Sequence, residues 1–300
     1  MKRSVILMGG KTYIVSLPAP WIKRYGIKKG TELDVEESGS SIIISTKSGV
    51  SIPERFEIDI TDFEPILAKV LVNIYKNGYP EILIKSSKPE LLRKVEGYFN
   101  KYFIGLEVVK LEKNLCLIKQ ISSASSEEFN NLFRRVFSSI GSMQESVLEG
   151  IKMKDTELLK EAVEQDKVNN NMLALCKYML NIRKYSPYRN TTYMYCLCEA
   201  LQNLADEHKL IAEYIMKKKP KLKDELKSYE KTVELFKQFY DLYYNYDKQN
   251  FIEVTINAKN LRNGFYLLFN TKFDQRLLYS LTSIADLIHE MLSFKLSMEL

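Results

Sequence analysis

Long apolar runs and disulfide-style cysteine spacing are both missing from this 300-residue sequence. No stretch approaches the roughly eighteen consecutive apolar residues that a membrane-spanning helix needs, so we expect no membrane insertion. The apolar run at 5–8 is too short for the core of a signal peptide. The four cysteines lie within apolar segments, as expected in a reducing cytoplasm. These absences exclude membrane-spanning proteins and secreted disulfide scaffolds, and they favour a cytoplasmic protein.

Catalytic and zinc motifs are missing as well. The sequence has no Gly-rich phosphate loop, no Ser-His-Asp order and no Cys–His pairing, so we expect no enzyme. Cys196 and Cys198 are two residues apart on a predicted helix, so they cannot converge on one zinc ion. His208 is two residues from Asp206, which predicts that it points away from that carboxylate to the surface.

Acidic residues are absent from the first thirty positions. That segment carries seven basic residues and neither Asp nor Glu, although the whole chain has a net charge of only +6. An acid-free basic segment indicates a polyanion partner, and a solvated surface is the alternative. We predict double-stranded DNA as the partner and identify five candidate contacts: Lys2, Arg3, Lys11, Lys23 and Arg24. Lys28 and Lys29 lie in a predicted turn and are weaker candidates.

Glycine and proline are scarce beyond residue 120, and this scarcity divides the chain. Nine of the twelve Gly and six of the eight Pro fall in residues 1–120, so residues 121–300 are predicted to be helical. A serine-rich stretch at 122–126 reads as a linker. We therefore predict three domains, at 1–50, 51–120 and 125–300.

The first two segments alternate in the manner of short strands and helices. In the first, strands are predicted at 3–8, 12–16, 33–37 and 41–46, with turns at Gly9-Gly10 and Ser38-Gly39-Ser40 and a helix at 21–25. In the second, strands are predicted at 56–60, 81–85, 104–109 and 115–119, with helices at 61–78 and 89–102. Thr61 and Glu64 form a capping-box pattern at the start of the first of these helices. Four short strands bury little surface alone, so we expect residues 1–50 to form a homodimer.

The third segment reads as six helices and contains a repeat. Loops are predicted at 154–155, 186–187, 219–220, 247–248 and 271–272. The segment Leu-Gln-Asn-Leu-Ala-Asp at 201–206 recurs as Leu-Thr-Ser-Ile-Ala-Asp at 281–286, in the third helix of each half. A tandem pair of three-helix bundles follows from this repeat. The aromatic run at 239–244 is either core or a partner surface, and helical spacing favours core.

The residues resemble known families in a fixed order. Gly9 to Pro18, followed by Trp21-Ile22, Gly26-Ile27 and Lys29-Gly30, resemble the AbrB/SpoVT family of swapped-hairpin DNA-binding domains. The segments at 77–84 and 104–108 resemble the linker domain of archaeal AbrB–PhoU fusions, and the repeated Ala-Asp third helices are similar to PhoU, the phosphate-uptake regulator. The resemblance implies a multidomain α and β fold: a swapped-hairpin β domain, a small α/β sandwich and all-α tandem three-helix bundles.

The PhoU resemblance also implies metal sites, but several family ligands are replaced. The glutamate positions of the third helices hold Gln202 and Thr282, and the second repeat has Asn260 and Gly264 where the first has Asp166 and Asn170. The acids that remain in the first repeat are Glu164, Asp166, Glu199 and Asp206, whereas the second keeps little beyond Asp286 and Glu290. Affinity for hard cations decreases when a site has fewer charged ligands. We therefore expect at most a weakly bound divalent or trivalent metal in the first repeat. Without a metal, Asp206 and Asp286 are hydrogen-bonded across the bundle or solvated.

Two functions fit this sequence. The first is a DNA-binding transcriptional regulator of phosphate uptake, whose helical part responds to a phosphate transporter, a signalling protein or a metal. The second is a PhoU-type regulator that does not bind DNA and restrains a phosphate transporter by protein–protein contact. In this alternative the N-terminal domain at 1–50, called the head below, only dimerises.

Overall fold

The computed structural model describes residues 3–38, 41–46, 55–121, 126–182 and 190–300. Lys2, the turn residues Gly39 and Ser40, the linker stretch 122–125 and the loop at 186–187 lie outside the described residues. Along the chain, a strand-rich part is followed by a two-layer α/β part and then by six long helices. The predicted fold class is confirmed.

The strand-rich part consists of two β-hairpins and a short helix. Strands β1 (Val5–Met8) and β2 (Thr12–Val15) pair antiparallel, as do β3 (Leu33–Ser38) and β4 (Ser41–Thr46). Gly9 and Gly10 turn the first hairpin at φ +62° and +74°, where a residue with a side chain would be strained. Helix α1 (Ala19–Arg24) begins two residues before its predicted start, because Pro20 is accommodated in its first turn.

The α/β part is a four-stranded sheet with two helices. Its elements are β5 (Arg55–Asp59), α2 (Leu67–Lys76), β6 (Glu81–Lys85), α3 (Pro89–Tyr102), β7 (Leu106–Leu111) and β8 (Leu115–Gln120). The strand order is β5-β6-β8-β7, with β5 and β6 parallel and the other pairs antiparallel. Ile82 and Ile118 are register partners on one face, and both are fully buried in the core that Leu71 and Leu91 of the helices complete. The opposite face carries ion pairs such as that of Glu81 with Lys119 at 3.0 Å.

The predicted capping box at Thr61 is wrong. Glu64 begins a 3-10 turn that ends at Ile66, and α2 begins only at Leu67. The Thr61 hydroxyl accepts a hydrogen bond from the Ser87 backbone N–H at 3.0 Å, and Glu64 pairs with lysines of the following loop and helix instead. A long-range partner has therefore replaced the local one that the pattern indicated.

The remaining chain forms six helices in two groups of three. They are α4 (Ser126–Met153), α5 (Thr156–Asn181), α6 (Thr191–Lys218), α7 (Asp224–Tyr244), α8 (Lys248–Tyr266) and α9 (Gln275–Glu299). Within each group every helix contacts the other two, and the groups meet where α6 contacts α9 and α4 contacts α7. Asp155, Asp247 and Asp274 cap α5, α8 and α9 through their carboxylates. The predicted pair of three-helix bundles is confirmed.

The two copies of the repeat lie at the contact between the bundles. Leu201, Leu204 and Ala205 of α6 are fully buried, and their counterparts Leu281, Ile284 and Ala285 of α9 are equally so. The aromatic run of α7 is part of the same interior: Phe239 is fully buried, and the Phe137 ring of α4 lies 6.0 Å from it. The preference for core over a partner surface is thus confirmed for Phe239.

The α/β part contacts the first bundle through α2 and α5. The rings of Tyr75 and Tyr178 stack with centroids 4.9 Å apart, and the Asn181 side chain donates to the Lys76 carbonyl at 2.5 Å. Gly78, at φ +74°, lies so close to Ile182 that a Cβ there would be 2.5 Å from the Ile182 Cγ2. Among the described residues, no helix is both long enough and apolar enough to cross a membrane.

Candidate nucleic-acid interface and acidic cluster

The candidate DNA contacts that the structure describes are all exposed. Arg3 precedes β1, Lys11 follows the Gly9-Gly10 turn, and Lys23 and Arg24 occupy the last turn of α1. None of these four forms an ion pair with another described residue, so their charges remain available to an external anion. The fifth candidate, Lys2, lies outside the described residues.

Within a single chain, these four cations do not form one cluster. Val5 pairs with Val15 at the open end of the hairpin, and Met8 pairs with Thr12 at its turn. Arg3 and Lys11 therefore lie at opposite ends, separated by roughly 17 Å along the strands at about 3.3 Å per residue. The chain leaves β2 at the open end, and α1 follows there. A phosphate backbone is long enough to contact both ends, whereas a small anion is not.

Helix α1 holds its two basic residues by a tight C-terminal turn. The Tyr25 N–H donates to the Trp21 carbonyl at 3.0 Å, and the Ile27 N–H donates to the Ile22 carbonyl at 3.1 Å. Gly26 at φ +61° makes this reversal possible. Lys23 and Arg24 therefore project at the negative end of the helix, which also favours cations.

The first hairpin exposes apolar side chains on both of its faces. Every residue of β1 and β2 is exposed, including Val5, Leu7, Met8 and Tyr13 at more than half of their accessible surface. The second hairpin likewise exposes Val35. An isolated two-stranded hairpin is marginal in water, so this surface is typical of a module that another chain covers.

Two of the four predicted metal-ligating acids come together, with a lysine between α5 and α6. Asp166 of α5 is 1% exposed, and its Oδ2 accepts from Lys209 Nζ at 2.9 Å and from Asn170 Nδ2 at 3.1 Å. This hydrogen bond raises the pKa of Lys209, so its ammonium is held in the charged form. Burial and the negative charge of Asp166 raise the pKa of Asp206. The Oδ1 of Asp166 is buried and has no hydrogen-bond partner among the described residues.

Glu199 belongs to a separate cluster, two helical turns before Asp206. Its Oε1 lies 2.6 Å from Nζ of Lys177, which is fully buried, and 3.6 Å from Nζ of Lys76 in the α/β part. Lys177 also donates to Gln202 Oε1 at 2.7 Å. Burial lowers the pKa of Lys177. Burial alone would raise the pKa of Glu199, but the hydrogen bond and charge of Lys177, with Lys76, outweigh it and lower that pKa.

Glu164 is exposed and pairs with Lys167 at 2.8 Å, so the four acids occupy three separate places. Within the described ranges, no three His, Cys, Asp or Glu side chains are grouped so that they could hold a metal ion. The cation beside Asp166 is an ammonium that belongs to the protein. The donor set therefore does not fit a multi-carboxylate metal cluster, and the weak metal site stays a prediction.

In the second repeat, Asp286 is paired with neighbours on α8. Its Oδ1 lies 3.4 Å from Arg262 Nε, and its Oδ2 accepts from the Tyr266 hydroxyl at 3.1 Å. Without a metal, Asp286 was expected to be either hydrogen-bonded across the bundle or solvated. It is hydrogen-bonded to α8, and its side chain remains partly exposed.

The surface position predicted for His208 is wrong, and sequence reasoning missed the buried cluster to which it belongs. His208 is fully buried, its Nδ1 lies 2.9 Å from the Tyr229 hydroxyl of α7, and burial lowers its pKa to about 3. The same hydroxyl donates to the Gln144 carbonyl of α4 at 3.4 Å. His208 does point away from Asp206, but a second neighbouring helix covers that side of α6. The buried run Leu201, Leu204, Ala205 could have indicated this, since position 208 continues its helical spacing.

One family model and one solved structure are similar to parts of this chain. The family model of "Antidote-toxin recognition MazE, bacterial antitoxin" matches residues 6–53, which is less than half of the chain. No curated protein matches the chain. Among solved structures, the phosphate transport system regulatory protein PhoU from Streptococcus pneumoniae is similar at a TM-score of 0.47 and 12% identity, over 58% of this chain and 94% of that one. A likeness that distant carries no argument about activity. The two hairpins and α1 thus form a MazE/AbrB-like domain.

Proposed function

We propose that this chain is a DNA-binding transcriptional regulator of phosphate uptake in the cytoplasm. The observation that carries the proposal is the acid-free, exposed and unpaired set of cations on the MazE/AbrB-like domain. The proposal assigns the chain no catalytic step. It treats the chain as a fusion of an AbrB-type head with a PhoU-like helical domain, as the residue resemblance implies.

Arg3, Lys11, Lys23 and Arg24 act by neutralising phosphates. Each phosphate contact releases condensed counterions, so the affinity for DNA falls steeply as salt increases. Such contacts fix the position of the protein on the duplex but carry little sequence information. The operator is thus read by other contacts or by DNA shape.

Dimerisation supplies the number and spacing of cations that one chain lacks. A second copy that covers the apolar faces of β1 and β2 doubles every basic side chain about a two-fold axis. The roughly 17 Å between Arg3 and Lys11 then becomes part of a longer basic surface. Residues 1–50 serve as both the dimerisation and the DNA-binding domain, followed by an α/β linker domain at 51–120.

The phosphate part of the proposal is supported by the residues of the helical domain at 125–300. Two three-helix bundles, each with a Leu-x-x-(Leu/Ile)-Ala-Asp segment in its third helix, match the pattern that resembles PhoU. In this proposal the helical domain receives the signal from a phosphate transporter or a signalling protein. The α2–α5 contact connects it to the rest of the chain.

One observation favours the alternative, in which the head only dimerises and the helical domain restrains a transporter by contact. The exposed apolar surface of the first hairpin requires a partner chain but not DNA. The two functions differ in whether the cations of the head touch phosphate, which mutation tests directly.

We expect Lys11→Glu with Arg24→Glu to abolish binding of the full chain to a 40-bp duplex, at least a ~100-fold loss at moderate salt, because phosphate neutralisation is replaced by repulsion. Fluorescence anisotropy at several salt concentrations measures this loss. The control, Lys94→Glu with Lys101→Glu in α3, makes the same change in net charge and should retain binding. If the wild-type chain binds no duplex, or if both variants weaken binding equally, the alternative function is favoured.

We expect the full chain to sediment as a dimer and the Ile6→Asp, Ile14→Asp variant to sediment as a monomer. These two residues are cross-strand partners on the exposed hairpin, and two buried carboxylates would oppose its burial. Ile104→Asp, at an equally exposed position of the α/β part, is the matched control and should remain dimeric. A monomeric wild-type chain would contradict the proposed dimer.

A further inference from the structure

A dense group of unpaired cations lies where α6 ends and α7 and α9 begin. Residues 217–223 contain five lysines and no acid, and Lys227, Lys272 and Arg276 lie on the same end. All eight are exposed, and none of them forms an ion pair with another residue that the structure describes. We call these eight side chains the basic end face: Lys217, Lys218, Lys219, Lys221, Lys223, Lys227, Lys272 and Arg276.

Hydrogen bonds join two separate loops into this one face. The Glu225 carboxylate accepts from the Lys223 N–H at 3.2 Å and from the Asp274 N–H at 3.1 Å, one at each oxygen. The Tyr214 hydroxyl donates to Asp274 Oδ2 at 2.7 Å. The loop after α6 and the loop after α8 are thereby held side by side, so the cations of both loops act together.

Helix electrostatics explain only part of this charge. Lys217 and Lys218 lie in the last turn of α6, where cations offset the negative end of the helix. Lys219 and Lys221 follow that helix, and Lys223 and Lys227 lie at the start of α7, where cations are unfavourable. Asp224 and Glu225 in the first turn of α7 offset Lys223 and Lys227, and the excess of lysine that remains at 217–221 indicates an external anion.

Exposed apolar side chains lie beside the cations. Leu267, in the turn after α8, is 82% exposed, the most of any described apolar residue apart from the chain terminus. Tyr266, Phe269 and Tyr279 line a shallow cavity of about 350 Å³, together with the acids Asp286 and Glu290. In water, an exposed leucine and three aromatic rings leave apolar surface unburied. A lipid interface would bury that surface.

We propose that the basic end face is a docking surface for an anionic lipid bilayer. Lysine clusters of this size bind negatively charged headgroups, at roughly fivefold in partition coefficient per residue. Leu267 and the neighbouring rings enter the headgroup region, where amphipathic aromatic side chains are favoured. The attachment is peripheral and is consistent with the lack of a spanning helix in the described chain. It goes beyond the proposed function, because it locates the helical domain at the membrane.

Nucleic acid is the competing polyanion, and the apolar side chains disfavour it. A phosphate backbone attracts the lysines through charge and hydrogen bonds. It offers no apolar surface that Leu267 could contact. The basic head of the chain is already suited to DNA. The first hairpin of the head also exposes apolar area, which a second copy covers in the proposed dimer, whereas Leu267 beside the basic end face has no such partner in the proposal.

Flotation of the full chain with vesicles tests the proposal. We expect partition onto phosphatidylcholine vesicles with 30% phosphatidylglycerol and little onto pure phosphatidylcholine. Replacing Lys217, Lys218, Lys219 and Lys221 by Gln should lower partition at least ~100-fold, in line with the charge removed. Replacing Lys94, Lys101 and Lys110 of the α/β part by Gln should leave partition within about twofold, because those side chains lie on another domain.

A second variant separates lipid binding from simple charge attraction. Leu267→Ser preserves every charge and should lower partition several-fold, whereas Ile104→Ser, at another exposed apolar position, should not. The Lys11→Glu, Arg24→Glu head variant should partition as the wild type does. Equal partition onto both vesicle types, unchanged partition of the four-lysine variant, or loss of duplex DNA binding in that variant without any vesicle binding would overturn the proposal.

Discussion

The two bundles share a repeated segment but treat charge inside the fold differently. The first bundle buries Asp166, Lys177 and His208, whereas the buried polar residues of the second include the neutral Thr232, Ser280 and Thr282, with Lys295 near the end of α9 as a buried cation. At the repeat offset of 80 residues, His289 of α9 stands where Lys209 stands in α6, and the PhoU resemblance sets Asn260 of α8 in the place of Asp166. The acid and its cation have therefore been replaced together. Losing one alone would leave a buried charge without a partner, which is costly.

The second bundle also contains an open cavity. An open cavity of about 530 Å³ lies between α7 and α8, lined by Asn257, Asn260 and Gly264 among others. In the first bundle, Asp166 and Lys209 pair between the second and third helices, α5 and α6, whereas this cavity lies between the first and second helices of the second bundle.

The largest effect is expected from Glu199→Ala in the first bundle. Lys177 would keep only its neutral partner Gln202, and an unpaired buried cation costs about 3 kcal/mol. Because burial already lowers the pKa of Lys177, the unfolded state binds the extra proton, and the loss should shrink as pH rises towards the ordinary lysine value of about 10.4. Urea unfolding at several pH values, followed by circular dichroism, measures the loss of unfolding free energy and its pH dependence. Glu290→Ala, at an exposed position of α9, is the control and should leave the midpoint unchanged.

A smaller effect is expected from Lys209→Met, at about 2 kcal/mol of unfolding free energy, because the Lys209 side chain is one-third exposed and Asn170 still binds Asp166. Adding Asp166→Asn copies the neutral residue of the second bundle and should restore most of the stability. A double variant no more stable than Lys209→Met would show that the pair is not the reason for the loss.

The smallest effect, under about 1 kcal/mol, is expected from Asp206→Asn. Burial and Asp166 raise the pKa of Asp206, so its ionisation costs stability once the pH exceeds the ordinary aspartate value. The variant should therefore be slightly more stable than the wild type at pH 7, and the gain should vanish as pH falls towards 4. Thermal unfolding at a series of pH values tests the sign. A gain that grows on acidification would contradict the raised pKa.

Most of the fold was predictable because it depends on local signals. Gly9-Gly10, Pro89 and the scarcity of Gly and Pro beyond residue 120 act within a few positions of the elements they define, and those elements are confirmed. The repeat at 201–206 and 281–286 also predicted which helices are third in each bundle. The limits chosen for the three domains stay a prediction.

The errors arose where a distant residue decides the outcome. The Thr61 hydroxyl bonds the Ser87 N–H, twenty-six residues away, and a capping pattern cannot show this. The burial of His208 depends on Tyr229 of another helix. In the acidic cluster, Lys209 contacts Asp166 across 43 positions of sequence, which the spacing of the acids does not indicate. The cations of the head were visible in sequence since an absence of acids needs no tertiary information.

Gly78 has a consequence for how movement passes along the chain. The absence of a side chain at this position allows the end of α2 to lie against Ile182, while the Tyr75–Tyr178 stack resists sliding beside it. With so little clearance, α2 and α5 have almost no independent freedom, so a rotation of α5 must carry the sheet with it. The first bundle is thereby coupled directly to the α/β part, whereas a change in the second bundle reaches the first through two contacts, α6–α9 and α4–α7.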